Sequence, residues 1–205
     1  MMQPLIRISS RAVYLPEPNI DTDALFPARY LLLMERKGLG DYLFRDRRFR
    51  ADGAPIAGFP LDAPDKQGAQ VIIGGSGFGC GSSREQAVWA LYEYGIRCIL
   101  APDFGDIFAN NCAKNGLLVS RLPASTIEAL GAEAQAGASF DIDLETRKIR
   151  AGTFETSLNV ADNVRAALLN GWDDTDIILA EDGERIAAFE RLHKQRQPWL
   201  FEPAP

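Results

Sequence analysis

Residues 71–94 read Val-Ile-Ile-Gly-Gly-Ser-Gly-Phe-Gly-Cys-Gly-Ser-Ser-Arg-Glu-Gln-Ala-Val-Trp-Ala-Leu-Tyr-Glu-Tyr, and no other stretch narrows the possible folds as much. Val71, Ile72 and Ile73 form a short β-branched run, the pattern of a buried strand. Gly74, Gly75, Gly77, Gly79 and Gly81 follow within eight residues. Glycines at this density allow positive φ and a close approach of ligand to backbone. A helix should come next. Ser82 with Glu85, or Ser83 with Gln86, has capping-box spacing. Val88, Leu91 and Tyr92 make an inward stripe, and Gly95 is placed to end the helix. Arg84 falls in the first turn, where the helix dipole opposes a cation. A carboxylate or phosphate held between Arg84 and the free N–H groups would explain it. The bland alternative has both serines as caps and Arg84 in solvent. The glycines in front favour the ligand.

A chain of 205 residues suits a single domain, here residues 1–205, and can bury a core without staples. A net charge of −6 argues against a general nucleic-acid or anionic-membrane binder. No apolar run reaches the length of a membrane span. The opening Met-Met-Gln-Pro-Leu-Ile-Arg lacks a signal-peptide layout, so a cytoplasmic protein is expected. The three cysteines, Cys80, Cys98 and Cys112, contain no C-x-x-C pair. Cys98 and Cys112 read as small buried hydrophobes, while Cys80 lies inside the glycine loop. No metal site is expected on this chain. The single histidine, His193, sits on a polar C-terminal stretch, which disfavours a Ser-His-Asp hydrolase.

Along the chain, a strand is expected near residues 11–15, broken by Pro16-Glu17-Pro18-Asn19. Asn19-Ile20-Asp21-Thr22-Asp23 then puts two carboxylates around a threonine. It is either a polar turn with a cap or a carboxylate aimed into a site. Residues 28–34 and 38–44 read as short helices. Residues 45–69 form a long excursion, the sort of loop used as a lid or interface arm. From 71 to 122 the order strand–helix–strand–helix–strand calls for parallel pairing with helical crossovers. A helix over 123–136 follows, then a hairpin of 140–144 with 148–154. A helix over 159–170 and two last helices, 173–179 and 182–197, complete the pattern.

The strand–glycine loop–helix unit invites nucleotide readings. A P-loop needs Lys before the helix-opening Ser or Thr, and Gly81 stands there instead. A dinucleotide fingerprint is a closer rival, with Gly77-x-Gly79 and Asp103 near the end of the next strand. Ser82 occupies its third glycine position, however, and Arg84 has no role in it. In a third reading the serines do chemistry. Arg84 and the helix amides would hold a carboxylate of a small polycarboxylate substrate, and an alkoxide stabilised by those donors would remove an α proton. Nothing here offers a second centre for the leaving hydroxide, which points to a partner chain.

Gly77-Phe78-Gly79-Cys80-Gly81-Ser82-Ser83-Arg84-Glu85, with Asn19-Ile20-Asp21-Thr22-Asp23 upstream and Phe104-Gly105-Asp106-Ile107-Phe108 downstream, closely resembles the 3-isopropylmalate dehydratase small-subunit family, an aconitase-like swivelling domain in a free chain. The resemblance covers nearly the whole length. It implies an α/β swivelling β/β/α fold with a mostly parallel central sheet and a C-terminal hairpin and helices. It implies a hydro-lyase of leucine biosynthesis, acting on a small alkylmalate. It also implies a large-subunit partner whose [4Fe–4S] cluster serves as Lewis acid, with no cofactor on this chain. By the same resemblance Ser82 is the base, and Ser83 and Arg84 contact substrate carboxylate. Asp23 is an acid pairing with a partner histidine. Leu32 and Leu33 line the slot for the substrate side chain, where an isopropyl group fits and an extra carboxylate finds no counter-charge; plain helix core is the other reading of these leucines. The family usually has His where this chain has Gln86, which hydrogen-bonds but does not titrate near neutral pH. Another alkylmalate or citraconate, or a non-catalytic nucleotide- or carboxylate-binding module, are the alternative readings.

Overall fold

Strand β1 (Arg7–Leu15) is the hinge of the architecture, because it pairs in parallel on one side and antiparallel on the other. In a computed structural model describing residues 2–33 and 35–201, seven strands form one sheet in the order β4-β3-β2-β1-β5-β6-β7. After β1 come two four-residue helices, α1 (Thr22–Leu25) and α2 (Arg45–Arg48). The parallel half then runs β2 (Val71–Gly74), α3 (Glu85–Tyr94), β3 (Cys98–Ala101), α4 (Asp106–Lys114) and β4 (Leu118–Arg121). Helix α5 (Ala124–Gln135) leads to the antiparallel strands β5 (Ser139–Asp143), β6 (Lys148–Ala151) and β7 (Phe154–Ser157). Two helices close the chain, α6 (Asp162–Asn170) and α7 (Asp174–Arg196).

Strand periodicity explains the layering. Val13, Ile72 and Ile99 lie side by side in register and point to one face, where Val88 and Leu91 of α3 and Phe108 of α4 cover them. Ala12, Val71 and Cys98 point to the other face, against Ile127 and Leu130 of α5. Both faces are covered, so β2 and β3 are apolar throughout apart from Gly74 and Cys98, and wholly buried. Each fully buried aliphatic side chain there contributes about 1.5–3 kcal/mol.

Several elements differ from the sequence reading. The stretch 148–154, expected as one strand, is two strands reversing at Gly152, whose φ of 55° permits a tight turn between the paired Ala151 and Phe154. The two expected terminal helices are one, because the chain passes through Gly183 without a break and Asp182 pairs with Arg185 one turn on. Residues 28–34 form only a 3-10 turn, Ala28–Tyr30, and Met34 lies outside the described residues. A second 3-10 turn, Leu39–Tyr42, replaces the helix expected over 38–44.

The excursion 45–69 is pinned rather than free. Buried Arg48 grips Asp62 through Nε and Nη2 at 2.9 and 2.7 Å, its guanidinium lies over the Tyr94 ring, and Lys66 reaches the Ala134 carbonyl at 2.8 Å. Helix α7 is the opposite case. None of its side chains is buried, and the tail folds back so that Phe201 meets the His193 ring edge-on. Among the described residues no helix is long and apolar enough to cross a membrane.

Candidate functional site

The glycine loop after β2 is stitched to the segment after β1. Asn19 N–H donates to the Ser76 carbonyl at 2.7 Å, Gly79 N–H to Ile20 at 2.7 Å, and Thr22 N–H to Cys80 at 2.9 Å. Asp103 holds the loop from the next crossover, accepting from the Gly77 amide at 2.7 Å and from the Ser76 hydroxyl. The glycines therefore answer to the protein's own packing. A Cβ on Gly75 would collide with the Glu17 carbonyl, one on Gly77 with the Asn19 side chain, and one on Gly79 with the Phe108 ring. The close approach read from the sequence is real, and chain, not ligand, makes it. Gly81 is different. Its φ is 97°, but its nearest neighbours, in Asp21 and Thr22, stand at an ordinary 3.5 Å. It turns the chain so that Ser82 arrives beside Thr22.

Ser82 is exposed and Thr22 beneath it is buried. Their hydroxyl oxygens are 3.1 Å apart. The expected capping boxes do not form. Helix α3 begins at Glu85 with Arg84 as its N-cap residue and no side-chain cap bond. The local Ser-x-x-Glu rule loses to tertiary ties: the Ser82 backbone is bonded to Thr22, and the Glu85 carboxylate accepts from Asn115 Nδ2 at 2.7 Å. As a result the first N–H groups of α3 keep no side-chain acceptor among the described residues. Ser83 is exposed beside them.

Arg84 points back across the loop. Its Nη1 donates to Asp23 Oδ1, and the Ala28 amide donates to the same oxygen at 2.8 Å. The Arg84 side chain is mostly covered, whereas that of Asp23 is more than half exposed. The Arg84 guanidinium first, and the Ala28 amide second, hold the Asp23 carboxyl below the usual carboxylate range. Asp23 is thus an anion at neutral pH. It can pair with a cation but has no proton to give, and within this chain its cation is Arg84. Only Nη1 of Arg84 is engaged among the described residues, which leaves the Nε–Nη2 edge for a carboxylate.

Leu32 and Leu33 are surface residues, 91% and 37% exposed, so the helix-core reading fails for both. They line a groove with Leu39 and Tyr42 and the charged Glu35, Lys37 and Asp41. The segment that carries them starts at Ala28, the residue bonded to Asp23, so it is anchored at one end to the charged pair. The structure joins Ser82, Arg84 and Asp23 directly, sets Ser83 in the same loop, and leaves the two leucines on this separate groove.

Sequence reasoning passed over Thr22, Asn19 and Asp103. Thr22 stands between two carboxylates that read as the site candidates, and Asp103 reads as part of a dinucleotide fingerprint. A signal was present in part. Glycines at alternate positions require a crossing chain as readily as a ligand, and the polar segment 19–23 was the one available to cross.

Residues 2–125 match the family model of the aconitase C-terminal domain, and residues 181–203 match that of the C-terminal domain of the 3-isopropylmalate dehydratase small subunit. Proteins named 3-isopropylmalate dehydratase small subunit are similar over most of their length. The one from Rhodospirillum centenum is 47% identical over 186 residues, covering 89% of this chain and 91% of its own. That from Shouchella clausii is 44% identical over 195 residues, covering 95% and 98%. That from Brucella canis is 41% identical over 201 residues, covering 97% and 100%. A crystal structure of 3-isopropylmalate dehydratase from Methanocaldococcus jannaschii has the same fold, with a TM-score of 0.66 at 24% identity, over 90% of this chain and 99% of that one. On these likenesses the chain belongs to the 3-isopropylmalate dehydratase small-subunit family.

Proposed function

We propose that this chain is one half of a hydro-lyase that interconverts 2-isopropylmalate and 3-isopropylmalate by dehydration and rehydration, a step of leucine biosynthesis, in company with a large subunit. The relatives' shared name supports the reaction. One observation of the site carries this chain's part in it: the exposed Ser82 hydroxyl stands at the uncapped start of α3, next to Ser83 and Arg84, and is held from behind by a buried residue.

Each group then has a task. The free edge of Arg84, with Ser83 and the first α3 amides, binds a substrate carboxylate. Ser82 Oγ, as alkoxide, takes the α proton. A serine hydroxyl is a poor base by itself and needs positive surroundings to lose its proton. The helix dipole and the guanidinium supply them. Asp23 keeps Arg84 pointed across the loop, and its exposed side is open to a cation of the large subunit, such as a histidine. Leu32 and Leu33 are the exposed apolar part of a groove that Glu35, Lys37 and Asp41 also line, and they offer a surface for an isopropyl group.

A [4Fe–4S] cluster belongs, on this reading, to the large subunit. The donors here do not fit one. Cys98 and Cys112 are fully buried, with burial pushing both thiols far up, and no group of three or more His, Cys, Asp or Glu residues is placed for a metal among the described residues. This chain's contribution is proton transfer and anion binding. A dinucleotide site fits poorly, since Asp103 is committed to Ser76 and Gly77 and the glycine surfaces are already covered.

The test is co-purification with a cluster-bearing large subunit and assay of isopropylmalate beside other alkylmalates and citraconate. Ser82→Ala should lower turnover about 10²–10⁴-fold with assembly intact. Undiminished turnover would remove Ser82 from its role, and preference for another alkylmalate would reassign the substrate.

A further inference from the structure

Thr22 is 2% exposed, and among the described residues its hydroxyl has one bonding partner, Ser82, which it meets at three atoms. The Ser82 amide donates to Thr22 Oγ1 at 3.2 Å. The Ser82 carbonyl oxygen lies 3.2 Å from Thr22 Oγ1, and Ser82 Oγ lies 3.1 Å from it. A threonine hydroxyl carries one proton and two lone pairs. A lone pair takes the Ser82 amide. The single proton has two acceptors within reach, a carbonyl oxygen and a hydroxyl oxygen, and rotation about one C–O bond moves it between them.

We propose that Thr22 is a positioning residue for the base, whose hydroxyl fixes the Ser82 side chain and turns its proton onto Ser82 Oγ when that oxygen becomes an alkoxide. The inference rests on the reading of Ser82 as the base. With Ser82 neutral, the carbonyl is the better acceptor and Thr22 O–H satisfies it. With Ser82 deprotonated, the charge on Oγ makes it the stronger acceptor. The Ser82 amide feeding the same hydroxyl strengthens the bond it donates. Ser82 Oγ then gains an O–H bond as the substrate Cα–H bond breaks, and Thr22 O–H returns to the carbonyl. No atom of Thr22 moves far. Its own amide is tied to Cys80, and it opens helix α1, where Asp21 caps by accepting from Ala24 N–H at 2.7 Å. The Thr22 oxygen is in place before the charge appears, so only its proton has to turn when it does.

A merely structural threonine would be satisfied by the Ser82 backbone alone, and the two roles part in experiment. In the reconstituted two-subunit enzyme, Thr22→Val removes the hydroxyl and keeps the shape, while Thr22→Ser keeps the hydroxyl. Thr22→Val should lower kcat about 10–10²-fold with KM within about twofold, and should move the ascending limb of the kcat pH profile to higher pH, because the alkoxide has lost a donor. Thr22→Ser should restore both. Ser82→Ala runs alongside. If Ser82→Ala is dead and Thr22→Val matches wild type in kcat and profile, Ser82 stands and the role of Thr22 is overturned. A fall in kcat without the pH shift, or failure of Thr22→Val to co-purify with the large subunit, makes Thr22 structural and overturns it too. If Ser82→Ala is active, both assignments fall.

Discussion

Two loops lead to the Asp23–Arg84 pair and are built on opposite plans. The glycine loop, residues 74–81, has its side-chain space filled by Glu17, Asn19 and Phe108, and its backbone bonded to residues 19–22. The segment 28–33 is a single 3-10 turn followed by leucines in solvent, of which Leu32 is almost wholly exposed. On the proposed reading the first seats Ser82, whose oxygen must sit within tenths of an ångström of the proton it takes. On the same reading the second presents its exposed leucines to whatever differs between substrates. Crowding suits placement and exposure suits discrimination, and the proposed function uses both.

The contrast can be broken at either end. Gly79→Ala should have the largest effect, because a methyl there overlaps the Phe108 ring at a φ of 71°. Loss of more than about 3 kcal/mol is expected by chemical denaturation, from overpacking and positive φ together. Unchanged stability would mean that the loop has slack. Asp23 sharpens the middle of the scale. Its carboxyl is held below its ordinary value mainly by Arg84, so its stabilising contribution is present above the ordinary aspartate range and fades as pH falls through the lowered value. The pair is open to solvent on the aspartate side, so less than about 1 kcal/mol is at stake. Denaturation midpoints measured from pH 6 down to 2 should show Asp23→Asn losing part of the wild-type acid dependence, and identical curves would dismiss the pair. Leu32→Ser should have the smallest effect on stability, within about 0.5 kcal/mol, while changing preference among alkylmalates. A large loss of stability would show that the segment is packed after all.

The same division decides what the sequence could reveal. Strands β2 and β3 are buried on both faces, so Val71 to Ile73 and Cys98 to Ala101 could be read off directly. Gly95 and Gly171 end α3 and α6 in left-handed conformation, as their positions suggested. Features that depend on remote neighbours were hidden. Ser82 and Ser83 carry a good local cap pattern, but Thr22, sixty residues earlier, claims Ser82. A break was expected between residues 179 and 182, next to Gly183, and none occurs. A glycine inside a helix costs only about 1 kcal/mol, less than the rest of α7 recovers through its capping box at Asp173 and its further turns. Gly152 went the other way, since a two-residue reversal between strands leaves only a faint mark in an otherwise alternating stretch.

The stitching of residues 19–22 to the glycine loop sets a limit on transplantation. A peptide spanning 71–94, or that segment grafted alone into another scaffold, would carry the serine without its seat. The portable unit is discontinuous: both strand ends, β1 and β2, with the two turns that leave them. Designers wishing to borrow the proposed base would have to move the pair of crossings together, and a homologue altered in one crossing would need a matching change in the other.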